Sequence, residues 1–278
     1  MNDYSTERSC QPFLKWAGGK RWLINHCSLF IPTHYNSYIE PFLGSGAMFF
    51  ALQPKRAILS DLNLDLIQAY RAIRSDWRSV VEALKKHHCR HSRDYYYEIR
   101  SSSPRELARK AARLVYLNRT CWNGLYRVNK QGRFNVPVGT KAAVCLRTDD
   151  FELVHRLLRR ACLIRSDFET VIDKARARDL LFVDPPYTTS HSNNGFIKYN
   201  EKLFGWPDQV RLRDCLQRAQ RRGAYVIATN ADHDGIRQLY AGSFHLQSLR
   251  RVSVIASNSR FRQNIRELLI TSLEGKIK

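Results

Sequence analysis

The sequence predicts an α/β protein with a largely parallel sheet, interrupted by a basic, mainly helical module that carries a β-hairpin. Three observations predict this. Short apolar runs alternate with amphipathic helical patterns toward both ends of the chain, as βα architectures require. Residues 85–160 break that alternation and are strongly basic. Inside them, two extended segments flank Asn129-Lys130-Gln131-Gly132, the pattern of a hairpin with Gly at its turn.

Each element follows in order. Residues 35–42 are strand-like and run into the turn Gly44-Ser45-Gly46, which precedes an apolar helical stretch at 47–52. Residues 57–60 form a second short apolar run ending at Asp61. Leu62, Leu66, Tyr70, Ile73 and Trp77 then recur at spacings of three and four, one face of an amphipathic helix. In the basic middle, Leu107, Ala111, Leu114 and Val115 share a helical face, and the hairpin arms are 126–128 and 133–136. The alternation returns with a strand at 180–183, a helix over about 207–222, a buried strand at 224–229, and apolar runs at 244–249 and 268–273. The expected division is a sheet domain from 1–84 and 161–278, with 85–160 inserted and its hairpin at about 123–139.

Charge narrows the partners. Lys and Arg total 46 against 25 Asp and Glu, a formal net charge of +21 among 278 residues. Such an excess favours polyanions, because each neutralised phosphate releases condensed counterions. An anionic membrane surface is the competing partner, but the positive residues run through folded-looking segments rather than a tail, which favours a broad nucleic-acid footprint. No run of 18 apolar residues is present and residues 1–10 are polar, so neither a membrane span nor a secretory signal is expected. Seven scattered cysteines without C-x-x-C read as reduced intracellular thiols. His87, His88, Cys89 and His91 lack a second ligand pair at finger spacing; they read as a solvated basic helix end, and no metal is expected.

Three motifs carry chemistry. Asp184-Pro185-Pro186-Tyr187 follows the apolar strand 180–183, and open α/β sheets bind ligands at the carboxyl ends of their strands. An amino group conjugated to an aromatic ring is a poor nucleophile. A carboxylate and a backbone carbonyl, each accepting one of its N–H groups, draw the nitrogen toward tetrahedral geometry. Asp184 and the Pro185 carbonyl suit those roles, and Tyr187 offers a ring for stacking; the competing reading is a rigid surface turn. Glu40-Pro41-Phe42-Leu43-Gly44-Ser45-Gly46 brings glycines that let backbone approach a ligand, and Asp61 ends the next strand where an acidic residue bonds ribose hydroxyls. Phe13-Leu14-Lys15-Trp16-Ala17-Gly18-Gly19-Lys20 is either a ligand loop or a basic N-terminal turn. No G-x-x-x-x-G-K-[ST] loop occurs.

F-L-K-W-A-G-G-K, E-P-F-L-G-S-G, L-S-D-L-N, L-N-R-T-C-W-N-G-L-Y-R-V-N, F-N-V-P-V-G and D-P-P-Y occur in one order along nearly the whole chain. Together they resemble the Dam-family N6-adenine DNA methyltransferases. The resemblance implies a Rossmann-like S-adenosylmethionine-dependent sheet with a target-recognition domain inserted at 85–160. It implies methyl transfer by direct displacement to N6 of a flipped-out adenine in double-stranded DNA. Asp184, Pro185 and Tyr187 are then catalytic. The cofactor set is Trp16, Lys20, Glu40, Phe42, Gly44, Gly46, Asp61, Asp167 and Asp184, with an ordinary helix cap as the competing role for Asp167.

By the same resemblance the hairpin reads GATC. Arg127 is the candidate for guanine, where Arg bonds O6 and N7 together, and a phosphate contact is its alternative. Leu125 and Pro137 supply apolar base contacts, with Lys15, Asn123, Asn135, Ser259 and Arg260 completing the DNA set. Phe261 and Asn264 replace the more basic or Gly-rich surroundings expected near Ser259 and Arg260. A cytoplasmic, prokaryotic or phage-encoded enzyme, with or without a partner restriction nuclease and with no obligate protein partner, is the expected setting. Asp before Pro-Pro-Tyr disfavours cytosine-N4 methylation, which goes with Ser there. A non-catalytic DNA-binding protein on the same scaffold is the alternative from another class, and a zinc deaminase lacks its H-x-E and P-C-x-x-C signature.

Overall fold

A computed structural model describes residues 9–129, 131–187, 204–252 and 264–273. The fold is mixed α/β with a mostly parallel seven-stranded sheet, as expected. The chain forms two compact units, one of residues 1–21 and 43–165, the other of residues 22–42 and 166–278.

The first unit opens its folded part with the turn Gly44-Ser45-Gly46 and the short helix α1 (Ala47–Leu52). Strand β2 (Ala57–Asp61) pairs in parallel with β3 (Ala161–Arg165), Ala57 opposite Ala161 and Asp61 opposite Arg165. Helix α2 (Leu64–Arg90) begins after Asn63, whose side chain accepts the Leu66 N–H at 3.1 Å, a satisfied N-cap. Leu66, Tyr70 and Ile73 are buried as the periodicity predicts, and Trp77 is half-buried. Leu62 is not part of the stripe. It precedes the helix and is 58 % exposed, since a helical side chain covers the turn before its own Cα and no such turn exists there. Asp76 leaves helical geometry and caps the second half of α2 by accepting the Ser79 N–H at 3.1 Å. Helices α3 (Arg93–Ser101), α4 (Leu107–Thr120) and α5 (Phe151–Leu158) complete the unit, with α4 and α5 packed on α2. Ala111, Leu114 and Val115 of α4 are buried, whereas Leu107, the first residue of the helix, is 38 % exposed.

A buried ion pair ties this unit to its N-terminal segment. Arg119, 4 % exposed, bonds both oxygens of Asp149 at 2.7 Å and donates to the carbonyls of Phe13 and Val144. Its neighbour Asn118 accepts the Lys15 N–H at 2.8 Å and donates to the Lys15 and Gly124 carbonyls. The F-L-K-W and L-N-R-T motifs are therefore two sides of one hydrogen-bonded clamp.

The second unit carries the strand order β1-β4-β5-β7-β6. Strands β1 (Tyr38–Glu40), β4 (Leu180–Val183) and β5 (Tyr225–Ala231) are parallel neighbours. Strands β6 (His245–Val252) and β7 (Asn264–Thr271) are antiparallel to each other, and β7 is antiparallel to β5. Helices α6 (Phe168–Ile172), α7 (Trp206–Arg221) and α8 (Asp234–Tyr240) accompany these strands.

Candidate active site and DNA-reading surface

In the first unit, Gly44 organises the expected cofactor residues. Its φ of 48° lies in the left-handed region, and a Cβ there would stand 2.9 Å from Cδ1 of Trp16. Both its peptide groups are engaged: the N–H donates to Asp61 Oδ2 at 3.1 Å, and the carbonyl accepts the Tyr70 hydroxyl at 3.1 Å. Glycine is required twice, for the dihedral and for the close approach of the indole. Asp61 Oδ1 accepts the Asn63 N–H at 2.9 Å. Burial raises the Asp61 pKa, while the N–H donors of Asn63, Gly44 and Leu62 oppose the rise by favouring the carboxylate. Gly46, φ 66°, is walled by Tyr70, Phe50 and Leu43. Lys20 is buried and donates to the Gly18 carbonyl at 2.8 Å. Trp16, Gly44 and Asp61 are thus brought together; the sequence left Tyr70 as a core residue, and its polar end is what locks the glycine turn.

In the second unit, β4 is buried along its length and delivers Asp184 at its carboxyl end. Asp184 Oδ1 accepts the Thr229 hydroxyl from β5 at 2.7 Å, and Thr229 is fully buried. Pro185 is buried, Pro186 half-buried. The Tyr187 hydroxyl donates to Glu267 Oε2 of β7 at 2.8 Å. Burial, then the neighbouring Asp184 and Glu267 charges, raise the Tyr187 pKa well above the usual phenol value, so it stays a donor. Thr229 and Glu267 were not singled out from the sequence. Each is one polar residue at the edge of an apolar strand run, and that is their only signal.

Glu40 is buried and accepts the Tyr38 hydroxyl at 2.9 Å. Phe42 joins Phe168 and Phe204 in a ring cluster, with centroids 5.4 and 5.7 Å away. Asp167 caps α6 by accepting the Glu169 N–H at 3.0 Å and takes both terminal nitrogens of Arg211 at 2.8 and 3.0 Å. The Arg211 guanidinium lies 4.2 Å from the Phe168 ring centroid.

The expected hairpin is present in the first unit as a short two-faced arm. Val128 bridges Phe134 in antiparallel pairing, the Asn135 N–H donates to the Arg127 carbonyl at 3.1 Å, and the turn closes from Gly132 N–H to the Asn129 carbonyl at 2.9 Å. Side chains alternate along extended backbone. Phe134 and Val136 are buried, whereas Arg127 is exposed and its Nε donates to Asn135 Oδ1 at 3.0 Å. Asn123 sits at φ 55° and is exposed, as is Pro137, and Leu125 is half-buried. Lys15 is exposed, and the side chain of Lys141, followed by burial, lowers its pKa to about 8. Ser259 and Arg260 lie outside the described residues. Behind the arm is a cavity of about 580 Å³ lined by Arg100, Lys110, Arg113 and Arg133, with Asp65 and Tyr126 at its wall.

No cluster of three or more metal-ligating side chains occurs among the described residues. The helix-end histidines are nevertheless not simply solvated. His87 stacks on Tyr116 with centroids 4.9 Å apart and bonds the Tyr95 hydroxyl, and burial pushes its pKa down to about 4. His91 bonds the Tyr116 hydroxyl at 3.0 Å. Aromatic residues of α3 and α4 fold back over this end of α2, a tertiary contact that local charge does not reveal.

The family model described as D12 class N6 adenine-specific DNA methyltransferase matches residues 16–255. The chain belongs to this family. This methyltransferase is 33 % identical over 271 residues to the type II methyltransferase M1.LlaDCHI of Lactococcus lactis subsp. cremoris, covering 94 % of this chain and 95 % of that one. It is 31 % identical over 283 residues to the type II methyltransferase M.MjaIII of Methanocaldococcus jannaschii, covering 94 % and 98 %. It is 30 % identical over 263 residues to a DNA adenine methylase of Vibrio cholerae serotype O1, covering 92 % and 94 %. The Dam-like resemblance and the enzyme class expected from the motifs are borne out, and adenine rather than cytosine is the base of this family.

Proposed function

We propose that this methyltransferase methylates adenine N6 in duplex GATC sites, using S-adenosylmethionine and a flipped-out target base. The observation that carries the catalytic part is the fixed carboxylate of Asp184, bonded by a buried threonine at the end of β4 and followed by two prolines. One N–H of N6 is accepted by Asp184 and the other by the Pro185 carbonyl, which frees the nitrogen lone pair. Tyr187 stacks on the extruded base, its ring held by the bond to Glu267. Extrusion costs roughly a few kcal/mol, offset by this stacking and bonding.

The residues fit a nucleoside cofactor. Asp61 accepts the backbone N–H groups of Gly44, Asn63 and Leu62, and a carboxylate offers about four lone-pair sites, so capacity remains for a ribose hydroxyl. Trp16 presents an indole beside a glycine whose missing Cβ keeps that contact short. Trp16, Lys20, Glu40, Phe42, Gly44, Gly46, Asp61 and Asp184 would hold the cofactor, with Asp167 contributing through lone pairs left by Arg211 and its cap. When bound, S-adenosylmethionine supplies a methyl group made electrophilic by its sulfonium centre.

The basic segment 85–160 acts as the recognition part and the remainder as the catalytic part. Arg127 bonds guanine, Leu125 and Pro137 touch base edges, and Lys15, Asn123 and Asn135 complete the contacts, with Ser259 and Arg260 on the backbone. The exposed position of Arg127, opposite the buried face of the hairpin, supports this reading. The cytoplasm, where the DNA of its bacterial relatives lies, is the proposed setting; no helix among the described residues is long and apolar enough to cross a membrane. The names of the type II relatives support pairing with a restriction nuclease.

The test is labelled methyl transfer to unmethylated duplex DNA, with mapping of the modified base. Transfer confined to GATC adenines is the expected result, and Asp184→Ala abolishes it while leaving DNA affinity largely intact. Methylation spread evenly over other adenines overturns the hairpin assignment, and turnover by Asp184→Ala overturns the acceptor role. Calorimetry adds a check on the cofactor: no heat with S-adenosylmethionine would leave only a DNA-binding scaffold.

A further inference from the structure

We propose that Tyr126 is a positioning residue through which the DNA-reading hairpin and the Trp16–Gly44 segment respond to each other. This rests on the proposed roles of Trp16 and Arg127. Tyr126 is adjacent to Arg127, so on extended backbone the two side chains leave opposite faces of the arm. Its ring stacks on Trp16 at 5.1 Å between centroids and 25° between planes. Its hydroxyl donates to Asp65 Oδ2 at 2.9 Å, in the first turn of α2, just after the Asp61-Leu62-Asn63 turn. From the other arm Phe134 braces the ring at 5.8 Å.

Trp16 thus meets two surfaces. One is the Gly44 backbone, so close that no Cβ fits, and the other is Tyr126. Any shift of the hairpin as Arg127 meets a base moves the ring that sets the indole, and a ligand against the indole restrains that ring in turn. Coupling of this kind is reciprocal: the factor by which duplex tightens cofactor binding equals the factor by which cofactor tightens duplex binding.

The experiment uses the full-length protein in three forms: wild type, Tyr126→Phe, which keeps the ring and loses the bond to Asp65, and Tyr126→Leu, which loses the stack. S-adenosylmethionine affinity is measured by calorimetry with and without a GATC duplex. Trp16 emission, obtained by subtracting the Trp16→Phe spectrum, is followed during duplex titration without cofactor. In wild type the duplex should tighten cofactor binding by about fivefold or more, the usual scale of coupled sites. Tyr126→Leu should reduce that to under about twofold and abolish the duplex-induced change in Trp16 emission, while Tyr126→Phe retains both. Unaltered coupling or an unaltered emission response in Tyr126→Leu overturns the proposal. So does equal loss in Tyr126→Phe and Tyr126→Leu accompanied by a fall in thermal midpoint, the mark of general destabilisation. If the wild type binds no S-adenosylmethionine, the proposed function fails, and the Trp16 emission response to duplex then decides the link by itself.

Discussion

Replacing Thr229 by valine removes one hydroxyl and almost nothing else. The side chain is fully buried in β5, so the variant keeps nearly the same shape, but Asp184 loses the 2.7 Å bond that orients its carboxylate. A hydrogen bond to a charged group contributes about 1.5–3 kcal/mol. If that orientation matters chiefly when the amine is being reshaped, the loss appears in the barrier and lowers kcat roughly 10- to 150-fold. Dissociation constants for duplex and cofactor should change far less than kcat, because Asp184 is one of several residues proposed to hold each of them and its charge remains. Thr229→Ser keeps the hydroxyl and should recover most of the rate. The assay is single-turnover transfer of a labelled methyl group, alongside equilibrium binding and thermal unfolding. A valine variant with kcat within about twofold of wild type, or one that loses binding and not rate, would refute the reasoning.

Other expectations follow from the same geometry. Gly44→Ala forces a Cβ against Trp16 at a φ of 48°; about 1–2 kcal/mol of backbone cost and about 0.5–1.5 kcal/mol of lost ring contact should lower the thermal midpoint by several degrees and weaken cofactor binding in calorimetry. Arg127→Ala should raise KM for GATC duplex by about 5- to 150-fold, one bidentate base contact, and relax discrimination at a single position in a base-substitution panel. His87, its pKa depressed from 6.5 to about 4, binds its proton more readily unfolded than folded. Its contribution to stability is therefore complete above pH 6.5 and declines as pH falls toward 4; His87→Phe should flatten that part of the acid-denaturation curve. Asp149→Asn leaves the buried Arg119 without its counter-charge, and chemical denaturation should register a loss of about 3–5 kcal/mol.

Most of the architecture was legible in the residues because its signals are local. An apolar run such as 180–183 with D-P-P-Y behind it can be little other than a buried strand and a stiff exit, and β4 is that. The Gly132 turn between two extended arms likewise produced a hairpin. Periodicity failed at Leu62 and Leu107, where a helix begins and the rule has no preceding turn to act on, and β3 was not among the expected strands, its apolar positions being broken by the exposed Cys162 and Arg165. The polar supports of the site were different. Thr229 and Glu267 look like any polar residue at the end of a strand until register sets them beside Asp184 and Tyr187.

By itself, then, the sequence determined most of the strands, the helical faces, the position of Asp184-Pro185-Pro186-Tyr187 behind a buried strand and membership in an adenine methyltransferase family, since each depends on residues adjacent in the chain or on motif order. Only the tertiary structure decided which groups hold those residues in place. Arg119 finds Asp149, Tyr126 finds Trp16, and His87 finds Tyr116 through chain separations that no local spacing encodes. Those partners are selected by packing, which is cooperative across the whole fold, and not by the short-range backbone preferences that a sequence displays.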